Sequence, residues 1–104
     1  MKIITRYHRP STNVAWWTDI IPPYVKEHYQ KTYIDTGMRL SEEFEISEDG
    51  LTMSHIAYWI EDENVMFAFL RDPIVAEWKK IREEYCNSVN ITKEESEMIY
   101  DSTP

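Results

Sequence analysis

An α+β fold, one antiparallel sheet covered by helices on one face, follows from three features of this 104-residue sequence. Segments 2–9, 38–46 and 51–60 alternate in hydropathy with the period of a strand. Segments 21–36 and 73–89 repeat apolar residues every three or four positions, as a buried helix face does. An Asp49-Gly50 pair between the second and third strand segments marks a tight hairpin. The length supports one domain, 1–104.

Lys2 to Arg9 places Ile3, Thr5 and Tyr7 on one strand face and Ile4, Arg6 and His8 on the other, until Pro10 ends it. The connection that follows contains adjacent indoles, Trp16 and Trp17. Neighbouring side chains diverge in any regular structure, so one indole is expected to close the core and the other to face a pocket mouth or a second subunit. Thr18 or Asp19 is placed to cap a helix that takes Pro22-Pro23 in its first turn. Ile21, Val25, Tyr29 and Tyr33 form its apolar stripe, and Gly37 is placed to end it.

The second strand carries Met38, Leu40, Phe44 and Ile46 on one row, interrupted by Glu42, whose burial would raise its pKa unless an edge position or an Arg relieved it. The third sets Leu51, Met53, His55, Ala57 and Trp59 against Thr52, Ser54, Ile56, Tyr58 and Ile60, both rows largely uncharged. Asp62 or Asn64 opens a short helix to Leu70. Arg71-Asp72-Pro73 then caps a longer one with the stripe Ile74, Trp78, Ile81, Tyr85 and Val89, leaving Lys79, Lys80, Arg82, Glu83 and Glu84 to the wet side. A last edge strand is expected around Met98, Ile99 and Tyr100. The order β-α-β-β-α-β is that of a ferredoxin-like sandwich. Because the third strand is apolar on both faces, the uncovered side of the sheet is expected to bury itself against a second copy. Covering 800 Å² of it would contribute about 20 kcal/mol gross at ~25 cal/mol per Å².

The bulk composition excludes several functions. Two glycines, Gly37 and Gly50, cannot build a phosphate-cradling loop. A net charge of −8 disfavours nucleic acid. MKIITRYHRP contains no long apolar run, so neither a leader nor a membrane span is expected, and a cytoplasmic protein is the default. Lone Cys86 cannot form an internal disulfide and reads as a small buried residue. His8, His28 and His55 have no metal-ligand spacing, and no cofactor motif occurs. Ser41 to Glu63 holds eight acidic residues and no Lys or Arg, either a solvated hairpin or a patch for a cationic partner.

The segment EDENVMFAFLRDPIVAEWKKIREEYCNSVNIT resembles the second half of small dimeric α/β-barrel proteins, the superfamily that includes antibiotic-biosynthesis-type monooxygenases. It shares the short helix, the Asp72-Pro73 break, the longer helix and the closing strand. The resemblance implies a pocket between sheet and helices, a dimer through the sheet faces, and chemistry often done without a metal. Its oxygenases act on electron-rich aromatics. Its haem-degrading branch uses an Asn, a Trp and a His that no local motif assigns here.

His55 is the candidate base, because imidazole exchanges protons near neutral pH, and a hydrogen-bonded core histidine is the alternative. Tyr58 and Trp59 are its candidate catalytic neighbours. Arg6, His8, Trp78, Phe69 and Tyr29 are the candidate walls of a pocket for a small aromatic ligand, although such aromatics also serve as plain core. The expectation is a small homodimeric enzyme of the cofactor-independent monooxygenase type, with no metal. The alternative is a non-catalytic interaction dimer using the acidic hairpin. An open cavity reached by His55 or His8 would favour the first, and a solid interior the second.

Overall fold

A computed structural model describes residues 1–99, and the expected contribution of Tyr100 to the last strand lies outside them. Strand β1 (Lys2–His8) leads through a 3₁₀ turn (Trp17–Ile20) to helix α1 (Pro23–Tyr29), which widens into a π-turn (Gln30–Ile34). Strands β2 (Arg39–Ile46) and β3 (Thr52–Trp59) form the hairpin, followed by α2 (Glu63–Arg71), α3 (Pro73–Ser88), and short strands β4 (Thr92–Lys93) and β5 (Glu97–Ile99). The sheet order is β2-β3-β1-β4, with β5 also on β1, and every pairing is antiparallel. This is the ferredoxin-like order the sequence predicts, with its final strand split in two.

Local chemistry accounts for the boundaries. Gly37 and Gly50 take φ of +78° and +74°, ending the π-turn and closing the hairpin in a region most side chains avoid. Asp62 caps α2 by accepting from the Asn64 N–H, and Asp72 caps α3 by accepting from the Ile74 N–H. Asn90, at φ +60°, ends α3 in a Schellman turn: the Ile91 N–H returns to the Cys86 carbonyl at 2.8 Å, and both side chains enter the core.

The core lies between the helices and the sheet face carrying Tyr7, Met53, Ala57 and Trp59, with Val25, Tyr33, Val75 and Trp78 opposite. Both indoles of the Trp16-Trp17 pair belong to it, at 5% and 3% exposure, and of the two positions expected for the second indole, a pocket or a second subunit, Trp17 takes the first by bordering the space between sheet and helices. The pair does not sit in regular structure. Trp16 is extended (ψ 153°) and Trp17 opens the 3₁₀ turn, so the chain changes direction between them. Arg9 fastens the loop, stacking 4.5 Å above the Trp16 ring while bonding the Gly50 and Val14 carbonyls. The Tyr85 hydroxyl donates to the Ala15 carbonyl.

The opposite sheet face is less apolar than predicted. In the cross-strand rows Ile56 lies between Ile4 and Glu43, and Tyr58 between Lys2 and Ser41. Arg6, which pairs with Glu97, and Glu45 extend the charged border. β3 reads as apolar because it is central, while its neighbours carry the charge. Among the described residues no helix is long and apolar enough to cross a membrane.

Asp72 joins the two helical layers. Its Oδ2 accepts from Tyr33 Oη and His28 Nε2, both at 2.5 Å, while Oδ1 holds the α3 cap. Burial pushes this carboxyl up, but the Tyr33, His28 and Ile74 donors outweigh it and hold it below the ordinary aspartate value of 3.8. Its contribution to stability is therefore complete above pH 3.8 and is lost as pH falls through the lower folded value. Asp72→Ala removes the cap and leaves the Tyr33 hydroxyl without its acceptor, and is expected to cost about 2–4 kcal/mol in urea unfolding at neutral pH. The deficit relative to wild type should narrow below the carboxylate range.

Candidate functional site

Between the sheet and the helices is a cavity of about 1000 Å³. Its floor is the inner sheet face, with Ile3, Thr5 and Tyr7 from β1 and His55, Ala57 and Trp59 from β3. Tyr29, Phe69, Trp78 and Trp17 wall it from the helical side. The interior is therefore not solid, and His55 reaches the open space.

His55 sits at the centre of a polar cluster. Its Nε2 is 2.8 Å from Glu42 Oε2 and 3.2 Å from Arg39 Nη2, and the same Arg39 nitrogen bonds Glu42 Oε2. The carboxylate can only accept, so the shorter contact assigns the ring proton to Nε2, donated to Glu42, and the Arg39 nitrogen beside it donates to Glu42 and not to the ring. Nδ1 is left as the unengaged acceptor of the ring among the described residues. The imidazole stacks on Phe44 at 4.7 Å and 9°, and meets the edge of Trp17 at 5.4 Å. Burial alone would raise the Glu42 carboxyl, but the His55 hydrogen bond and the Arg39 charge prevail and lower it, so it is ionised at neutral pH. A carboxylate holding one imidazole nitrogen while the other stays basic is an arrangement that can accept a proton.

Arg39 reaches this cluster through an irregularity. Residues three apart in a strand face opposite sides, so Arg39 and Glu42 should diverge. A bulge between Arg39 and Ser41 inserts one residue against β3 and turns both inward, with Arg39 opposite Trp59 and Glu42 opposite Ala57.

Of the residues singled out from sequence, His55, Trp59, Trp78, Phe69 and Tyr29 line the cavity. Tyr58, Arg6 and His8 do not. The pleat turns them to the opposite face, where Tyr58 lies under Lys2, Arg6 meets Glu97, and His8 bridges Thr52 and Glu94. His28 is half-buried at the margin of the helical layer and bound to Asp72.

Sequence reasoning missed Arg39, Lys79 and Arg82, and left open which indole, Trp16 or Trp17, borders the cavity. The signal for Arg82 was present, since Trp78, Arg82 and Cys86 follow one another at intervals of four. Its guanidinium lies 5.2 Å from the Trp17 ring centre, and Lys79 Nζ lies 5.3 Å from that of Phe69. Burial pushes the Tyr29 phenol up to about 12 and raises the Tyr7 phenol and the Cys86 thiol, so all three keep their protons at neutral pH. Cys86 is thus no nucleophile here. Among the described residues no three His, Cys, Asp or Glu side chains gather as metal ligands.

No family model and no curated protein matches the chain. A solved structure from Deinococcus radiodurans, provisionally described as an antibiotic biosynthesis monooxygenase, is similar over 100% of both chains, at 14% identity and a TM-score of 0.48.

Proposed function

We propose that the protein is a small-molecule enzyme whose cavity binds a flat hydroxylated aromatic and whose His55, held by Glu42, removes a proton from it. The observation that carries this reading is the His55–Glu42 pair in an aromatic-walled cavity, with one imidazole nitrogen engaged by a carboxylate and the other unengaged. Arg39 fixes the carboxylate, and Trp17 and Phe44 fix the ring plane. Trp59 and Trp78 form walls and take no part in proton transfer.

In its finer form the reaction is a cofactor-independent oxygenation. An acidic ring methylene loses its proton to His55, and the carbanion gives its electrons to dioxygen. One oxygen atom becomes the ring carbonyl and the other leaves as water, so the carbon is oxidised by four electrons and dioxygen is reduced by four. Mixing the protein with hydroxylated anthrone-type aromatics should give one dioxygen consumed for each quinone formed. Absence of both binding and turnover would remove the enzyme reading and favour the acidic-hairpin interaction protein.

The outer sheet face is proposed as a homodimer interface. Its strip Ile4, Ile56 and Tyr58 runs between basic Lys2 and Arg6 on β1 and acidic Glu43 and Glu45 on β2. A two-fold axis parallel to the strands would set the basic row of one copy over the acidic row of the other. Light scattering at micromolar concentration should give twice the chain mass, falling to the single mass in folded Ile56→Lys. A wild-type monomer would refute the interface.

A further inference from the structure

The acidic chain concentrates its cations around the cavity. Eleven basic and nineteen acidic side chains make up the sequence, yet five bases (Lys26, Arg39, Lys79, Arg82 and Lys93) line the cavity, against only Glu42 and Glu83. Three of these bases gather at one end. Lys79 and Arg82 stand one turn apart on α3, and Lys93 on β4 lies opposite Tyr7, on the cavity face of β1. Among the described residues none of the three forms an ion pair, although the surface offers acids in excess. They also disfavour one another: burial, then the charges of Arg82 and Lys93, lowers the Lys79 ammonium. Hydrogen-bond supply is unbalanced in the same direction. The N–H groups of Trp17 Nε1 and Arg39 Nε are buried without an acceptor among the described residues, a state that native interiors seldom leave uncompensated.

Resting on the aromatic-pocket reading above, we propose that the ligand is an aromatic acid whose carboxylate is held by Lys79, Arg82 and Lys93 while its hydroxylated end meets His55. A carboxylate would neutralise the cation cluster and supply acceptors to a cavity rich in donors. The spacing suits one rigid molecule, because Trp17 is the common neighbour of both ends: its ring lies 5.4 Å from His55 and 5.2 Å from the Arg82 guanidinium. The ligand therefore bridges the two polar ends along this indole.

The test compares 2-naphthol with 6-hydroxy-2-naphthoate, whose hydroxyl and carboxylate sit at opposite ends of the ring system, following tryptophan fluorescence. The carboxylated probe should bind about tenfold more tightly than the naphthol at low salt, and salt should erode this preference. In Lys79→Gln/Arg82→Gln the preference should vanish. Exposed Lys93→Gln, which carries less risk to folding, should reduce the preference about threefold. Naphthol binding without a carboxylate preference, or a preference that survives both variants, overturns the anion site and leaves the pocket reading standing. If neither probe binds, both fail.

Discussion

His55→Ala is expected to lower the oxygen-uptake rate by about 10²–10⁴-fold, the usual contribution of a positioned general base. Glu42→Gln should lower it less, because the glutamine oxygen can still accept from Nε2 and hold the ring. Two features separate this result from simple damage to the fold. His55 Nε2 makes its hydrogen bond to Glu42 at the cavity surface, so His55→Gln can retain a polar partner for Glu42 yet lack a base. Tyr58→Phe, on the opposite sheet face, should leave the rate unchanged. A His55→Ala protein that keeps wild-type turnover would move the chemistry elsewhere in the cavity.

Trp17→Ala is expected to cost about 3–5 kcal/mol of stability, the range for emptying a large aromatic site in a core. The indole is 3% exposed and touches Tyr7, Phe44, His55 and Trp78, so no single neighbour can refill its volume. It also supports the Arg82 guanidinium. Denaturant unfolding would read the loss directly, and the surviving folded protein should bind aromatic probes more weakly. A loss below about 1 kcal/mol would show that the loop collapses into the space, and that the indole is not the shared wall of the two polar ends.

The architecture was readable because it depends on periodicity. Alternation sorted His55, Ala57 and Trp59 onto one row of β3 and Thr5 and Tyr7 onto one row of β1, which the strand register then joins on a single face, and the capping signals at Asp62 and Asp72 marked both helix starts. That same alternation separates Tyr58, Arg6 and His8 from His55, so a site drawing on both faces conflicted with the pleat that defined them. Other parts depend on irregular backbone. Arg39 enters the site through a bulge, and the two indoles share a core because the chain turns between them. Nothing in residue type or spacing marks either event. Arg82 was lost differently: a long cation on a helix is assigned to water by default, although its aliphatic stem can cross an aromatic wall.

The claim at the centre of this account is that a hydroxylated aromatic in the cavity gives its proton to His55. A nitrophenol tests it without requiring turnover, because its phenolate absorbs at longer wavelength than the phenol. Below the free probe's pKa, the wild-type protein should bind it as the phenolate, and His55→Ala should bind it as the neutral phenol. A probe that binds wild type with the spectrum of the neutral phenol, or with the same spectrum in both proteins, would contradict the account.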